Sequence, residues 1–296
     1  MAEGFAILSA FCFAGSNIAV RRGTEGTSVL AGLLVTLASG SAVTLVAYVW
    51  AGSTTPSPSA VLGFAAAGLL GPAIGRATGM IGIDLLGPAR SIPLQGTLYP
   101  VAAISFSILL LGEKVSLLQL FGVALVISSV WVLSRREAVS VGGERLRTSV
   151  TSLRIPPILF PLIAGAAFGL ADLLRKDAIG ITPDPLLGTM VGTVTGLVVW
   201  ALLALFVRPI RSRIRFGAGI GWFVLAGVLG AAAVLTLIRA LEAGKVSVVS
   251  PIVAAQPLPV LLLSWLFLRR LDRIDARVVL GAFGVVLGTI MISLEG

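Results

Sequence analysis

Arg76 lies well inside an apolar run, with no acidic residue within seven positions on either side. A guanidinium at the middle of a bilayer costs about 3 kcal/mol on insertion scales, so it must face a cavity, reach an interface or find a partner. Its planar fork of donors suits a carboxylate or phosphate, which makes Arg76 a candidate substrate anchor. The competing readings are snorkelling to one interface and a structural ion pair with Asp84 or Asp172. Asp172 is the second intramembrane charge, and it aligns with Asn17 in the first half of the chain. A buried carboxylate has the chemistry to carry a coupling proton, so Asp172 and Asn17 form a candidate coupling pair. Arg175 and Lys176 follow Asp172 within one turn, and an interfacial salt bridge explains Asp172 nearly as well. Arg239 and Glu242, three apart on one run, read as a structural pair.

Prolines mark two further segments. The fourth apolar run holds Pro93 and Pro100, and the ninth holds Pro251, Pro257 and Pro259. A proline frees an upstream carbonyl, which in lipid must find a partner or line a wet cavity. Interrupted helices at matching positions in two halves of a chain point to a transporter's binding site; a plain packing kink is the alternative for any single proline. Polar side chains on the same runs, Ser91, Gln95, Thr97 and Tyr99, then Ser247, Ser250 and Gln256, could give directional hydrogen bonds to a polar solute. There is no histidine and one cysteine, Cys12, which removes the commonest metal ligand and general base and any disulfide framework. No metal site, no cofactor and no enzyme activity are expected.

These residues need elements to hold them. The chain has 296 residues, 57% hydrophobic and 12% charged, too little polar side chain to coat a soluble particle. A spanning helix takes about 20 apolar residues, so about ten fit, and the expected fold is an all-α integral membrane protein. Apolar runs delimit spans 1 to 5 at Gly4–Val20, Ser28–Trp50, Ala60–Leu85, Ala89–Leu111 and Ser116–Leu133. Spans 6 to 10 fall at Pro157–Leu174, Asp184–Val207, Gly217–Leu241, Val246–Leu268 and Asp275–Leu294. The division is therefore a first five-helix repeat over 1–134, a basic linker over 135–156 and a second repeat over 157–296. Trp50, Trp131, Trp222 and Trp265 lie near span ends, as an interfacial belt requires, and Trp200 lies deeper. Gly68, Gly71, Gly75 and Gly79 share a face of span 3 and allow close helix approach.

The second half repeats the first. Phe13 and Asn17 align with Phe168 and Asp172, Gly32 and Gly40 with Gly188 and Gly196, Gly68 and Gly71 with Gly227 and Gly230, and Gly122 with Gly281, at offsets drifting only from 155 to 159. Five spans per unit make the second copy enter the membrane from the opposite side, an inverted repeat that can open one site alternately to either face. Loops on one face carry sixteen arginines and those on the other four basic residues, Lys114, Arg175, Lys176 and Lys245. The positive-inside rule puts the arginine-rich face in the cytoplasm and both termini outside. The net charge of +9 is spread between apolar segments with no aromatic interleaving, so no nucleic-acid partner is expected.

The run "GLLGPAIG" and the following "LYPVAAISFSILLLGEKVSLLQLFGVALVISSVWVL" resemble the EamA-type repeat of the drug/metabolite transporter superfamily. In that repeat a helix with a central proline, here Pro100, ends in a Gly-Glu turn, here Gly112-Glu113, and a last helix with an early glycine follows, here Gly122. The second half repeats the pattern, with Arg270-Leu271-Asp272 in place of Gly-Glu. The resemblance implies an exporter or permease for small metabolites, driven by a gradient or by exchange, without a cofactor. It also implies cytoplasmic termini, against the loop charge. The combined expectation is a multi-pass plasma-membrane secondary transporter of small polar metabolites, amino acids or related organic acids. Its partners are a small-molecule substrate and the lipid bilayer, as a monomer or homodimer. A multidrug or lipophilic-cation exporter and a flippase for lipid-linked head groups are the alternatives. The first of these needs a buried carboxylate free of nearby cations.

Overall fold

The computed structural model describes residues 1–51, 55–86, 88–112, 114–134, 156–256, 258–259 and short pieces between 283 and 294; at 83, 84, 86, 88–90, 92, 93, 97 and 130–134 it describes the backbone alone. Glu113, the linker at 135–155, Pro257, the end of span 9 and most of span 10 lie outside the described residues. Among the described residues the secondary structure is helical throughout, without strands.

Helix α1 covers Ala2–Gly23 and α2 Val29–Ala51. Span 3 is a composite rod: α3 (Pro58–Gly68), a π segment π1 (Leu69–Gly75) and α4 (Arg76–Leu86). Span 4 comprises α5 (Pro88–Phe106) and a second π segment, π2 (Ser107–Leu111). It stops at Gly112, whose φ of +65° is the left-handed C-cap that glycine adopts without strain. Next come α6 (Leu117–Ser134), α7 (Leu159–Ile181) and α8 (Pro185–Phe206), the last capped by Asp184, which accepts from the backbone N–H of Leu186 and Leu187. A short α9 (Arg208–Arg211), absent from the sequence reading, precedes α10 (Ile220–Ala243) and α11 (Val246–Ala254). Among the described residues six rods are long and apolar enough to cross a membrane: Ala2–Gly23, Val29–Ala51, Pro58–Gly82, Leu94–Leu111, Pro185–Phe206 and Ile220–Ala243. Large apolar side chains such as Val49, Leu109, Phe121, Leu205 and Phe206 are exposed on their outer faces, the surface a lipid environment requires.

Two sequence readings need correction. Span 6 does not end at Leu174: α7 runs on to Ile181. Arg175, Lys176 and Asp177 follow that limit and read as a loop by charge, yet they lie within the helix, where burial of Arg175 and the carbonyl partners of Lys176 stabilise it. Arg175 is therefore no loop residue, being 4% exposed inside the bundle, and the loop-charge contrast becomes steeper. Span 9 is also not one run of helix. After Ala254 the bonds shorten to an i→i−3 pattern at Ala255, Gln256 and Leu258, next to Pro257 and Pro259, which have no N–H to donate.

Glycines set the packing. Phe223 of α10 fills the space beside Gly23 and Gly32, and Phe64 of α3 fills the space beside Gly188 of α8. Gly227 of α10 lies against Thr36 and Ser39 of α2, while Gly68 of α3 lies against Gly192 and Thr195 of α8. In each pair the second contact is made by the residues that the sequence alignment equates with the first. Directions follow from the contact order. Helix α1 is antiparallel to α10, with Ser9 on Ala233 and Ser16 on Ala226. Helix α2 is antiparallel to α8, with Thr44 on Thr193 and Leu37 beside Gly196. Helix α5 is parallel to α7, with Gln95 beside Gly165 and Ala103 beside Gly169.

Candidate functional site

The π1 segment positions Arg76. Pro72 interrupts span 3, and without an N–H it cannot donate to the carbonyl four residues back. The ladder widens, so the Arg76 N–H bonds to the Gly71 carbonyl five residues back. A π-bulge adds a residue to the turn and rotates everything downstream, which sets the direction of the Arg76 side chain. The indole of Trp200 on α8 donates to the Ala73 carbonyl inside this segment at 2.9 Å. This accounts for a tryptophan deeper than the interfacial belt: it satisfies backbone that the π segment rearranges.

Arg76 lines a central cavity of about 100 Å³, walled by α1, α2, the composite span 3, α5, α7, α8, α10 and the end of α11. Nη2 of Arg76 donates to the hydroxyl of Ser16 at 2.9 Å, and that hydroxyl donates to the Ala226 carbonyl. Among the described residues no carboxylate lies within ion-pair distance of Arg76; the ion pairs there are Met1–Glu3, Asp172–Arg175 and Arg239–Glu242. The pairing of Arg76 with Asp172 is therefore not formed, and the side chain of Asp84 lies outside the described residues.

Asp172 faces the same cavity. The salt bridge considered from sequence exists, but it is buried rather than interfacial: Oδ1 accepts from Arg175 Nη1 at 2.7 Å, with side chains 1% and 5% exposed. Oδ2 accepts from the hydroxyls of Tyr99 on α5 and Ser250 on α11. Three donors converge on one carboxylate, the pattern an ionised, acceptor-only group requires. Its sequence counterpart Asn17 donates to Gln256 Oε1 at 3.3 Å, so the equivalent position in α1 also reaches span 9. Lys176 turns away and donates to the Leu241 and Gly244 carbonyls at 2.7 Å each, closing the end of α10. The Arg239–Glu242 pair forms at 3.2 Å on the exposed side of α10.

Of the residues singled out from sequence, Arg76, Gln95, Tyr99, Asp172, Asn17 and Gln256 line this one cavity. Ser250 is buried one step back, on Asp172. Ser91 and Ser247 are fully buried away from the cavity, Ser91 being packed near Gly82. Thr97 and Pro93 are described as backbone within α5. Pro100, Pro251 and Pro259 are buried, and α5 continues through Pro100 as an α-helix. Pro72 and Ser16 were given no role in the sequence reading, while Trp200 and Arg175 were named there but not placed at the site. The "GLLGPAIG" run did display Pro72, but the widened turn appears only in the backbone.

Aromatic residues Phe13 of α1 and Phe168 of α7, equated by the repeat alignment, both line the cavity. A positive anchor, amide and hydroxyl groups and two aromatic rings thus converge in a space closed by spans of both halves. The arrangement can bind a small polar solute, and the described residues hold no cluster of His, Cys, Asp or Glu that would ligate a metal.

A solved structure described as "Crystal structure of protein" superposes on 100% of this chain and 99% of its own, with a TM-score of 0.74 at 17% identity. At that identity the likeness speaks for the fold alone. A comparison with curated proteins finds no match. The profile of the EamA-like transporter family matches residues 1–135 and 155–294. Nearly the whole length is covered, so this multi-pass membrane protein belongs to the EamA-like transporter family of the drug/metabolite transporter superfamily.

Proposed function

We propose that the protein is a plasma-membrane secondary transporter that moves small carboxylate-bearing metabolites, amino acids or related organic acids, by alternating access. The observation carrying this reading is Arg76: a guanidinium in the central cavity, bonded to one neutral hydroxyl and free of any described carboxylate. A charge kept unpaired inside a membrane protein marks a substrate or ion pathway. The architecture behind the reading is ten spans in two inverted halves. It is supported by the two family matches, by the equivalent Phe64–Gly188 and Phe223–Gly32 contacts and by the antiparallel run of α2 against its counterpart α8. Such halves can exchange roles around one fixed site.

The alternatives fit less well. A lipophilic-cation exporter needs an available carboxylate, whereas Asp172 is already ion-paired with Arg175 and accepts from Tyr99 and Ser250. A cavity of about 100 Å³, smaller than the roughly 150 Å³ cavity that holds benzene, does not suit a lipid-linked head group.

Purified protein is screened by thermal shift against metabolite classes, and the hits are tested for counterflow in proteoliposomes with wild type and Arg76→Ala. Stabilisation and counterflow by carboxylate-bearing solutes, both lost in the variant, are expected. Hits without a carboxylate, or counterflow unchanged by Arg76→Ala, would remove Arg76 from the site. Terminal tags found on opposite faces of the bilayer would exclude an even number of crossings and the inverted architecture with it.

A further inference from the structure

Charge balance in the cavity narrows the solute further. Among the described residues three charged side chains line it: Arg76, Arg175 and Asp172. Arg175 and Asp172 neutralise each other at 2.7 Å. Arg175 is thus already paired, with its guanidinium beside Gly71 of π1. Asp172 receives three donors and has no remaining role toward an external cation. Arg76 has no carboxylate partner among the described residues, its one described bond going to the Ser16 hydroxyl. The described lining of the cavity therefore carries one uncompensated positive charge.

Resting on the transporter reading above, we propose that the cavity selects a compact organic monoanion: a solute with one carboxylate, no ammonium group and a small apolar body. Such a solute leaves the occluded site neutral. A zwitterion brings an ammonium that finds no free carboxylate, and it leaves the net charge in place. A dianion brings a second negative charge for which Arg175 is already taken. An uncompensated charge in a low-dielectric site is disfavoured in either case. Phe13 and Phe168 supply apolar walls for the body of the solute. Gln95 and the Asn17–Gln256 amide pair stand ready for a single polar substituent.

The test uses full-length protein and four matched three-carbon probes at equal ionic strength near neutral pH: lactate, alanine, malonate and lactamide. A set of other small aliphatic monoanions from acetate to butyrate accompanies them. Binding is read by thermal shift and flux by counterflow in proteoliposomes, for wild type, Arg76→Gln and Arg76→Lys. Wild type is expected to bind at least one monoanion about tenfold or more tighter than alanine, malonate and lactamide, as loss of a buried charge complement dictates. Arg76→Gln erases that preference while the unliganded melting temperature stays near wild type, and Arg76→Lys keeps it at weaker affinity. Equal binding of alanine or malonate, or no monoanion binding at all in folded wild type, overturns the inference. Flux of alanine in preference to every monoanion also overturns it and leaves the transporter reading standing. Charge-selective binding without flux upholds the site and sinks the transporter reading instead.

Discussion

Replacing Asp172 by Asn preserves shape but turns one acceptor oxygen into an NH2 donor and removes the charge, leaving the buried Arg175 guanidinium uncompensated. The side chains are 1% and 5% exposed and 2.7 Å apart, so solvent screening offers little relief. Breaking a buried pair from one side costs about 3–5 kcal/mol, whereas replacing both partners with neutral groups of similar volume is often close to neutral. Asp172→Asn is expected to fall in that range. Arg175→Met should cost less, because the carboxylate keeps the Tyr99 and Ser250 hydroxyls. The double variant should recover much of the loss, giving a coupling of at least about 2 kcal/mol. The assay is equilibrium unfolding in mixed micelles followed by tryptophan fluorescence, over all four corners of the cycle. If the double variant loses the sum of the single losses to within about 0.5 kcal/mol, the two side chains are independent, and the description of the site as one neutralised pair beside one free cation is wrong.

Gly227→Val should destabilise by about 1–3 kcal/mol through overpacking, since a Cβ there would stand 2.0 Å from Ser39 Oγ and 2.3 Å from the Thr36 carbonyl. Gly221→Ala, with nothing within 4 Å, serves as the control in the same unfolding assay, and equal losses for both would refute the packing account. Trp200→Phe removes the donor to the Ala73 carbonyl and should cost about 1–3 kcal/mol by leaving that carbonyl unsatisfied. It should also lower counterflow by disturbing the turn that aims Arg76. Unchanged stability would mean that water or another group already serves the carbonyl.

How much of this was legible in the sequence depends on the range over which each feature is determined. The limits of α1, α2, α8 and α10 follow from apolar runs closed by local polar or glycine residues, so they agree with the reading to within a few positions. The left-handed Gly112, the Asp184 cap and the Arg239–Glu242 pair are equally local. The end of α7 was misplaced because three consecutive charges, Arg175, Lys176 and Asp177, look like a loop. Only tertiary placement, Arg175 buried against Asp172 and Lys176 on the Leu241 and Gly244 carbonyls, shows why the helix continues. Ser91 and Ser247 share runs with Gln95 and Gln256 but face elsewhere, because the rotation of a helix about its axis is fixed by neighbours remote in sequence. Arg76 could be singled out from its isolation, but the Ser16 hydroxyl that holds it is sixty residues away.

The two halves differ in the ties they make at the cavity. Asn17 and Asp172 occupy equivalent positions, and each ties its helix to a proline-bearing span: Asn17 to Gln256 through one neutral amide bond of 3.3 Å, Asp172 to Tyr99 and Ser250 through a charged carboxylate. Charge-assisted bonds are roughly twice as strong as neutral ones. The second-half tie is therefore the stronger, and it holds α5 and α11 to α7 together. If the halves exchange conformations as proposed, ties of unequal strength separate the two end states in energy. A solute that neutralises Arg76 would act elsewhere in the lining, beside Ser16 and α10. Its binding can shift the balance between those states only by the difference in its contacts to each. The charged residues thus divide the labour within a duplicated scaffold: Asp172 and Arg175 neutralise each other in the cavity lining, while Arg76 stands there without a described carboxylate partner.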